Sequence, residues 1–87
     1  MKYTVIWLQS AEADLADIWL GADDRESISR ASSEIDQLLR VQPQTAGESR
    51  ASGKRILLVA PLGVTFGVDD GDRIVRIASV WEFRRRS

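Results

Sequence analysis

The 87-residue sequence predicts an α+β fold in which a strand and a two-helix hairpin precede a three-stranded antiparallel sheet. The helices are expected on one face of that sheet, with an open groove on the other. Three observations carry this reading. Residues 3–8 are β-branched and aromatic, residues 10–42 hold two stretches of apolar residues at helical spacing, and residues 55–83 hold three strand-like runs. Neither helix can bury its apolar stripe alone, so the sheet must supply a common surface. Residues 1–87 are read as one domain. A domain this small buries only roughly 60–65 % of the surface its unfolded chain exposes, so a partner would add materially to its stability.

The elements follow in order. Tyr3 to Leu8 reads as a strand. Ser10 is placed to cap the following helix, with Glu12 and Asp14 in its first turn near the positive end of the helix dipole. Leu15, Ile18, Trp19 and Ala22 then fall at i, i+3, i+4 and i+7, which makes one apolar stripe. Gly21 and Asp23-Asp24 end that helix. Asp23 with Glu26 resembles a capping box for a second helix, whose apolar face is Ile28, Ala31, Ile35, Leu38 and Leu39 and which Pro43 terminates. Residues 43–53 lack hydrophobic periodicity and read as a loop. Arg55 to Ala60, Leu62 to Val68 and Arg73 to Phe83 are the three later strands, with Pro61 punctuating the first pair.

The last two strands carry a register argument. Asp70-Gly71 suits a two-residue hairpin turn with positive φ, which opposes Phe66 to Val75 and Val64 to Ile77 on a buried face. The same register puts Gly67 with Ile74, Thr65 with Arg76, and Gly63 with Ala78 on the other face. Small residues in a row there make a shallow groove that a backbone or nucleotide can approach, with Arg76 as a fork for phosphate. Trp7, Trp19 and Trp81 lie in apolar patterns and are expected in the core.

Composition bounds the chemistry. There is no His and no Cys, which excludes serine–histidine and cysteine–histidine catalysis and Cys-based zinc sites. No Gly-rich phosphate loop is present, so no cofactor is expected. Asp69, Asp70 and Asp72 are the one acidic cluster that could hold a metal, and they are read instead as turn residues. The N-terminal apolar run is too short for a signal peptide or a membrane span, so the expected location is cytoplasmic, with no membrane partner. Charge is polarised: residues 1–44 carry eight acids and four bases, and residues 45–87 carry five acids and eight bases. The C-terminal half is therefore the side on which an anion would be met.

The order strand, helix, helix, strand, strand, strand resembles the RelE/ParE superfamily of toxins from bacterial type II toxin–antitoxin modules. The resemblance rests on Tyr3-Thr4-Val5-Ile6-Trp7, Ser10-Ala11-Glu12-Ala13-Asp14-Leu15, Lys54-Arg55-Ile56-Leu57-Leu58-Val59, Val64-Thr65-Phe66-Gly67-Val68-Asp69 and Arg73-Ile74-Val75-Arg76-Ile77. It implies a cognate antitoxin as partner. It also implies one of two activities: ribosome-dependent mRNA cleavage without a metal, or, as the alternative, non-enzymatic binding to DNA gyrase or to the antitoxin alone. Arg55 falls where many members keep an arginine at the start of the second strand. Leu62-Gly63 stands where RelE-like nucleases have an arginine after an aromatic residue, and Val80-Trp81-Glu82-Phe83-Arg84 where a histidine or terminal tyrosine is common.

Cleavage by the 2′-hydroxyl requires a proton acceptor, a stabiliser of the phosphorane and a proton donor to the leaving oxygen. Arg55 and Arg76 suit the second task. For proton transfer Glu48, Glu82, Lys54 and Tyr3 are available, and Glu48, in the loop Gly47-Glu48-Ser49-Arg50, is the preferred catalytic group. Arg50, Lys54 and Arg84 are the residues expected to hold RNA. The site to be sought is thus Arg55, Arg76 and Glu48, flanked by Arg50, Lys54 and Arg84.

Overall fold

A computed structural model describes residues 2–50 and 53–83. Its elements are β1 (Thr4–Trp7), α1 (Gln9–Gly21), α2 (Arg25–Val41), β2 (Glu48–Ser49), β3 (Arg55–Val59), β4 (Leu62–Asp69) and β5 (Ile74–Glu82). All five strands form one sheet in the order β1-β5-β4-β3-β2. The two helices cover one face, as the apolar stripes require. Strand β1 lies parallel to β5, with Thr4 N–H donating to the Arg73 carbonyl at 2.9 Å and Leu8 N–H to the Ile77 carbonyl at 3.0 Å. The helical connection permits this parallel return, which a tight turn could not. Strand β2 is a correction to the loop reading of residues 43–53: Glu48 pairs with Ile56 and Ser49 with Arg55.

The helix starts differ from the expected ones, by two residues at α1 and by one at α2. Leu8, in an extended conformation, occupies the α1 N-cap without a side-chain hydrogen bond, and Ser10 lies inside the first turn. At the α2 start Asp24, not Asp23, is the cap: its carboxylate accepts from Ser27 N–H at 3.1 Å and from the Ser27 hydroxyl at 2.7 Å. These bonds hold the Asp24 carboxyl below its ordinary pKa, with the side-chain bond from Ser27 the largest cause. Arg25, the first residue of α2, donates to the carbonyls of Trp19 and Leu20 at 3.0 and 3.2 Å and stacks 4.4 Å from the Trp19 ring. The second helix thereby supplies donors to two of the carbonyls at the end of the first.

The core joins Ala11, Ile28, Ala31, Ile35 and Leu39 from the helices to Leu57, Leu62, Val64, Phe66, Val75, Ile77 and Val80 from the sheet. Burying an Ile, Leu or Phe side chain contributes about 1.5–3 kcal/mol, so this single layer is the main source of stability. Trp7 packs against its edge and donates to Asp36 at 3.2 Å. The other tryptophans depart from expectation. Trp19 is 39 % exposed, and Trp81 lies on the face away from the helices, opposite Gly63.

The β4–β5 register also departs from expectation. Asp69 pairs with Ile74, so the loop is the four residues 70–73, and the left-handed residue is Arg73 at φ 55° rather than Gly71. The cause is local: the Asp69 carboxylate accepts from Asp72 N–H at 3.1 Å and closes a wider turn. Near the turn the slip is two residues, so Phe66 faces Ile77 and Gly67 faces Arg76. An even slip leaves each side chain on its expected face, which is why the predicted buried set survives a wrong register. Beyond Phe66 the pairing jumps to Thr65 with Ser79, which leaves Ala78 as the extra residue of a β-bulge.

Candidate functional site: the uncovered face of the sheet

Strand alternation assigns the residues of the uncovered face, with Thr4, Ile74 and Asp69 as the row at the hairpin end. Paired residues point to the same side, so Ile6, Arg76 and Gly67 form one row across β1, β5 and β4. Ser79, Thr65, Ile56 and Glu48 form the next, and Trp81, Gly63 and Leu58 the last. The Arg76 guanidinium stands 3.9 Å from Asp69, and both are about half exposed. Beside it Gly67 has open space where a side chain would be. In the middle row the Thr65 and Ser79 hydroxyls are hydrogen-bonded at 2.5 Å.

The groove expected over Gly63 is closed. A Cβ built there would lie 2.5–2.7 Å from three indole atoms of Trp81, so the ring rests flat on the glycine and buries it. Only glycine admits this approach. Leu58, next in the row, is 57 % exposed. The uncovered face therefore has an apolar end at Trp81 and Leu58, a hydroxyl-bearing centre, and a charged end where Arg76 faces Asp69.

The residues expected to form one site are not brought together. Arg55 pairs with Phe66 and so belongs to the helix side of the sheet. There its Nε and Nη2 donate to the carbonyls of Ala46 and Gly47 at 3.1 and 3.2 Å, which anchors the segment entering β2. Gly47, at φ 69°, lies so close to β3 that a Cβ would meet the Ile56 carbonyl at 2.0 Å. Glu48 is on the uncovered face but forms an ion pair with Arg50 at 3.0 Å. Three strand spacings, about 14 Å, separate its strand from that of Arg76. Lys54 is exposed and its carbonyl accepts from Arg50 N–H at 2.6 Å, closing the β2–β3 hairpin. Arg84 lies outside the described residues.

The remaining acid–base candidates are elsewhere too. Glu82 pairs with the buried Leu62 and so sits on the helix side. The Tyr3 hydroxyl donates to Asp70 at 2.9 Å, and Gln44 donates to the same oxygen. That bond to Asp70 is the chief reason the Tyr3 phenol is raised above its ordinary pKa. Asp69, Asp70 and Asp72 serve the turn and its neighbours, as the turn reading expects.

A second concave surface lies between the helices. Two depressions of about 530 and 450 Å³ share Glu12, Leu15 and Ser32 and run from Trp7 at the sheet edge to Trp19 and Leu20 at the end of α1. Ala16, Ser29 and Ser32 keep the floor low, and Leu20 is 66 % exposed. The sequence signal was the apolar Trp19-Leu20 pair, of which only Trp19 fitted the stripe. Among the described residues, no helix is long and apolar enough to cross a membrane.

Comparison with known proteins places this architecture. No protein-family model and no curated protein sequence matches the chain. Solved structures do. One is the toxin–antitoxin complex RelBE2 from Mycobacterium tuberculosis, with a TM-score of 0.79 at 19 % identity over 94 % of this chain and 92 % of that one. Another is the chromosomal ParDE toxin–antitoxin system of P. aeruginosa, with a TM-score of 0.69 at 22 % identity over 95 % and 98 %. The isolated E. coli RelE toxin matches with a TM-score of 0.67 at 17 % identity over 98 % and 88 %. The RelE/ParE resemblance is thus borne out at the level of fold: two helices on a mixed five-stranded sheet, as in these toxin–antitoxin structures.

Proposed function

We propose that the chain is the toxin of a type II toxin–antitoxin pair and that it acts by binding a macromolecular target through the uncovered face of its sheet. The observation that supports this reading is the position of Arg76, on the uncovered face beside open Gly67 and 3.9 Å from Asp69, with none of the expected proton-transfer groups Glu48, Glu82, Lys54 and Tyr3 beside it. An arginine in that setting binds an anionic group well. Cleaving RNA requires in addition a base and an acid within hydrogen-bond reach of the reacting oxygens. Glu48, Glu82 and Tyr3 are spread over the far edge, the helix side and the hairpin end. A binding toxin needs none of them, and DNA gyrase is the target that the resemblance supplies for a member that does not cut.

The antitoxin is assigned to the α1–α2 groove, where Leu15, Trp19 and Leu20 offer apolar contacts and Glu12 offers charge, the Asp36 carboxylate being paired with Arg40. An amphipathic helix laid in such a groove places anchors at i, i+3 or i+4 and i+7. Its binding would raise the melting temperature by mass action. The second reading, mRNA cleavage on the ribosome, is favoured by the room that Gly67 leaves for a backbone phosphate next to Arg76.

One experiment separates the two. A translating extract and a gyrase supercoiling assay are each supplied with the purified protein. Intact mRNA with loss of supercoiling supports binding, whereas truncated mRNA replaces it with the nuclease reading. Growth that continues unchanged on expression, together with no complex with the neighbouring gene product, would sink both.

A further inference from the structure

At and just past the β5 bulge, where β1 has ended with Trp7 opposite Ile77, one helix face bonds two backbone groups of β5. The Ser10 hydroxyl donates to the Ala78 carbonyl at 2.7 Å, and the Asp14 carboxylate accepts from Val80 N–H at 3.1 Å. Ser10 and Asp14 are four residues apart on α1, one turn, so they reach the bulge side by side. The consequence is geometric. Continuing the register of Phe66 with Ile77 would oppose Ala78 to Thr65, Val80 to Gly63 and Trp81 to Leu62. Val80 would then face solvent and Trp81 the core. With Ala78 extra, alternation resets by one residue: Val80 turns inward to face Val64, Ser79 meets Thr65, and Trp81 lies over Gly63.

We propose that Ser10 and Asp14 are positioning residues of the uncovered face, which hold the bulge at Ala78 and so present Trp81 and Ser79 on the target-binding surface from the opposite side of the sheet. This rests on the reading of that face as the working surface. Asp14 acts on the face through the backbone at Val80. Neither residue lines the α1–α2 groove, so antitoxin binding reports folding independently.

The test compares Asp14→Ala, Asp14→Asn and Ser10→Ala in the full chain by NMR and by growth arrest on expression. In the native protein the Trp81 ring current should displace the Gly63 Hα resonances upfield, and the Val80 amide should exchange slowly. Asp14→Ala should lose both signatures and the growth arrest while keeping its complex with the antitoxin. Asp14→Asn, which retains an acceptor for Val80 N–H, should recover them, and Ser10→Ala should lose part of the upfield displacement. If Asp14→Ala does not fold, Ser10→Ala decides: an unmoved Gly63 resonance overturns the proposal. A folded Asp14→Ala with native Gly63 and Val80 signals overturns it as well. Native protein that causes no arrest, with Gly63 still responding to Asp14, removes the binding-toxin reading and leaves the positioning role standing.

Discussion

Arg55 points toward the helices and gives its guanidinium to the Ala46 and Gly47 carbonyls, 3.1 and 3.2 Å away, so the arginine that sequence reasoning places at the catalytic centre is a brace for the chain entering β2. Among the described residues no other side chain bonds these two carbonyls, and Gly47 is held in a conformation and a contact that only glycine tolerates.

Arg55→Ala should therefore lower stability, by about 1–3 kcal/mol for two charge-assisted bonds at a partly buried position. Arg55→Lys should recover less than half of that, because an ammonium cannot span both carbonyls in the same plane. Urea denaturation gives the difference directly. A folded Arg55→Ala protein as stable as the native one, but unable to arrest growth, would return Arg55 to the functional site.

Arg76→Ala should do the reverse. Arg76 is half exposed and its ion pair with Asp69 is long, so the stability change should stay within about 0.5 kcal/mol. Growth arrest should weaken strongly, and Arg76→Lys should restore it only in part. Thermal melts alongside a growth assay distinguish this from a general loss of fold, with Arg30→Ala on the exposed face of α2 as the control.

Leu20→Asp probes the helical groove. Leu20 is already 66 % exposed, so the isolated protein should melt as before. Antitoxin affinity should fall about tenfold or more, or at least about 1.4 kcal/mol, if Leu20 meets an apolar anchor. Titration calorimetry with the antitoxin is the measurement, and an unchanged Kd moves the partner to another surface.

The Asp24 cap predicts a pH dependence with a definite sign. Its carboxyl has a lower pKa in the folded than in the unfolded chain, because the ionised form accepts both Ser27 bonds. The stabilisation is complete above the ordinary carboxylate value, about 3.9, and is lost as pH falls through the lower folded value. Native and Asp24→Asn proteins should differ in melting temperature near neutral pH and converge in acid. A difference that is constant with pH would show that the cap acts without its charge.

Fold class, the order of the two helices and four main strands, and the buried residues of α2, β4 and the first half of β5 were determined by the sequence alone, because they depend on periodicity. Ile28, Ala31, Ile35 and Leu39 recur at helical spacing, and Val64, Phe66, Val75 and Ile77 at strand spacing, whatever their exact partners. Tertiary structure decided everything that depends on one unpaired backbone group finding a distant side chain. Asp69 widened its own turn by capturing Asp72 N–H. Ser10 and Asp14, 68 and 66 residues away in the chain from Ala78 and Val80, fixed a bulge that no local pattern encodes. That bulge moved Trp81 out of the core and onto Gly63, and the β2 hairpin drew Arg55 away from Arg76. A periodic pattern sets which face a residue takes, but a single extra residue in a strand reverses that choice for all that follow, and its stability comes from contacts formed only once the helix is packed.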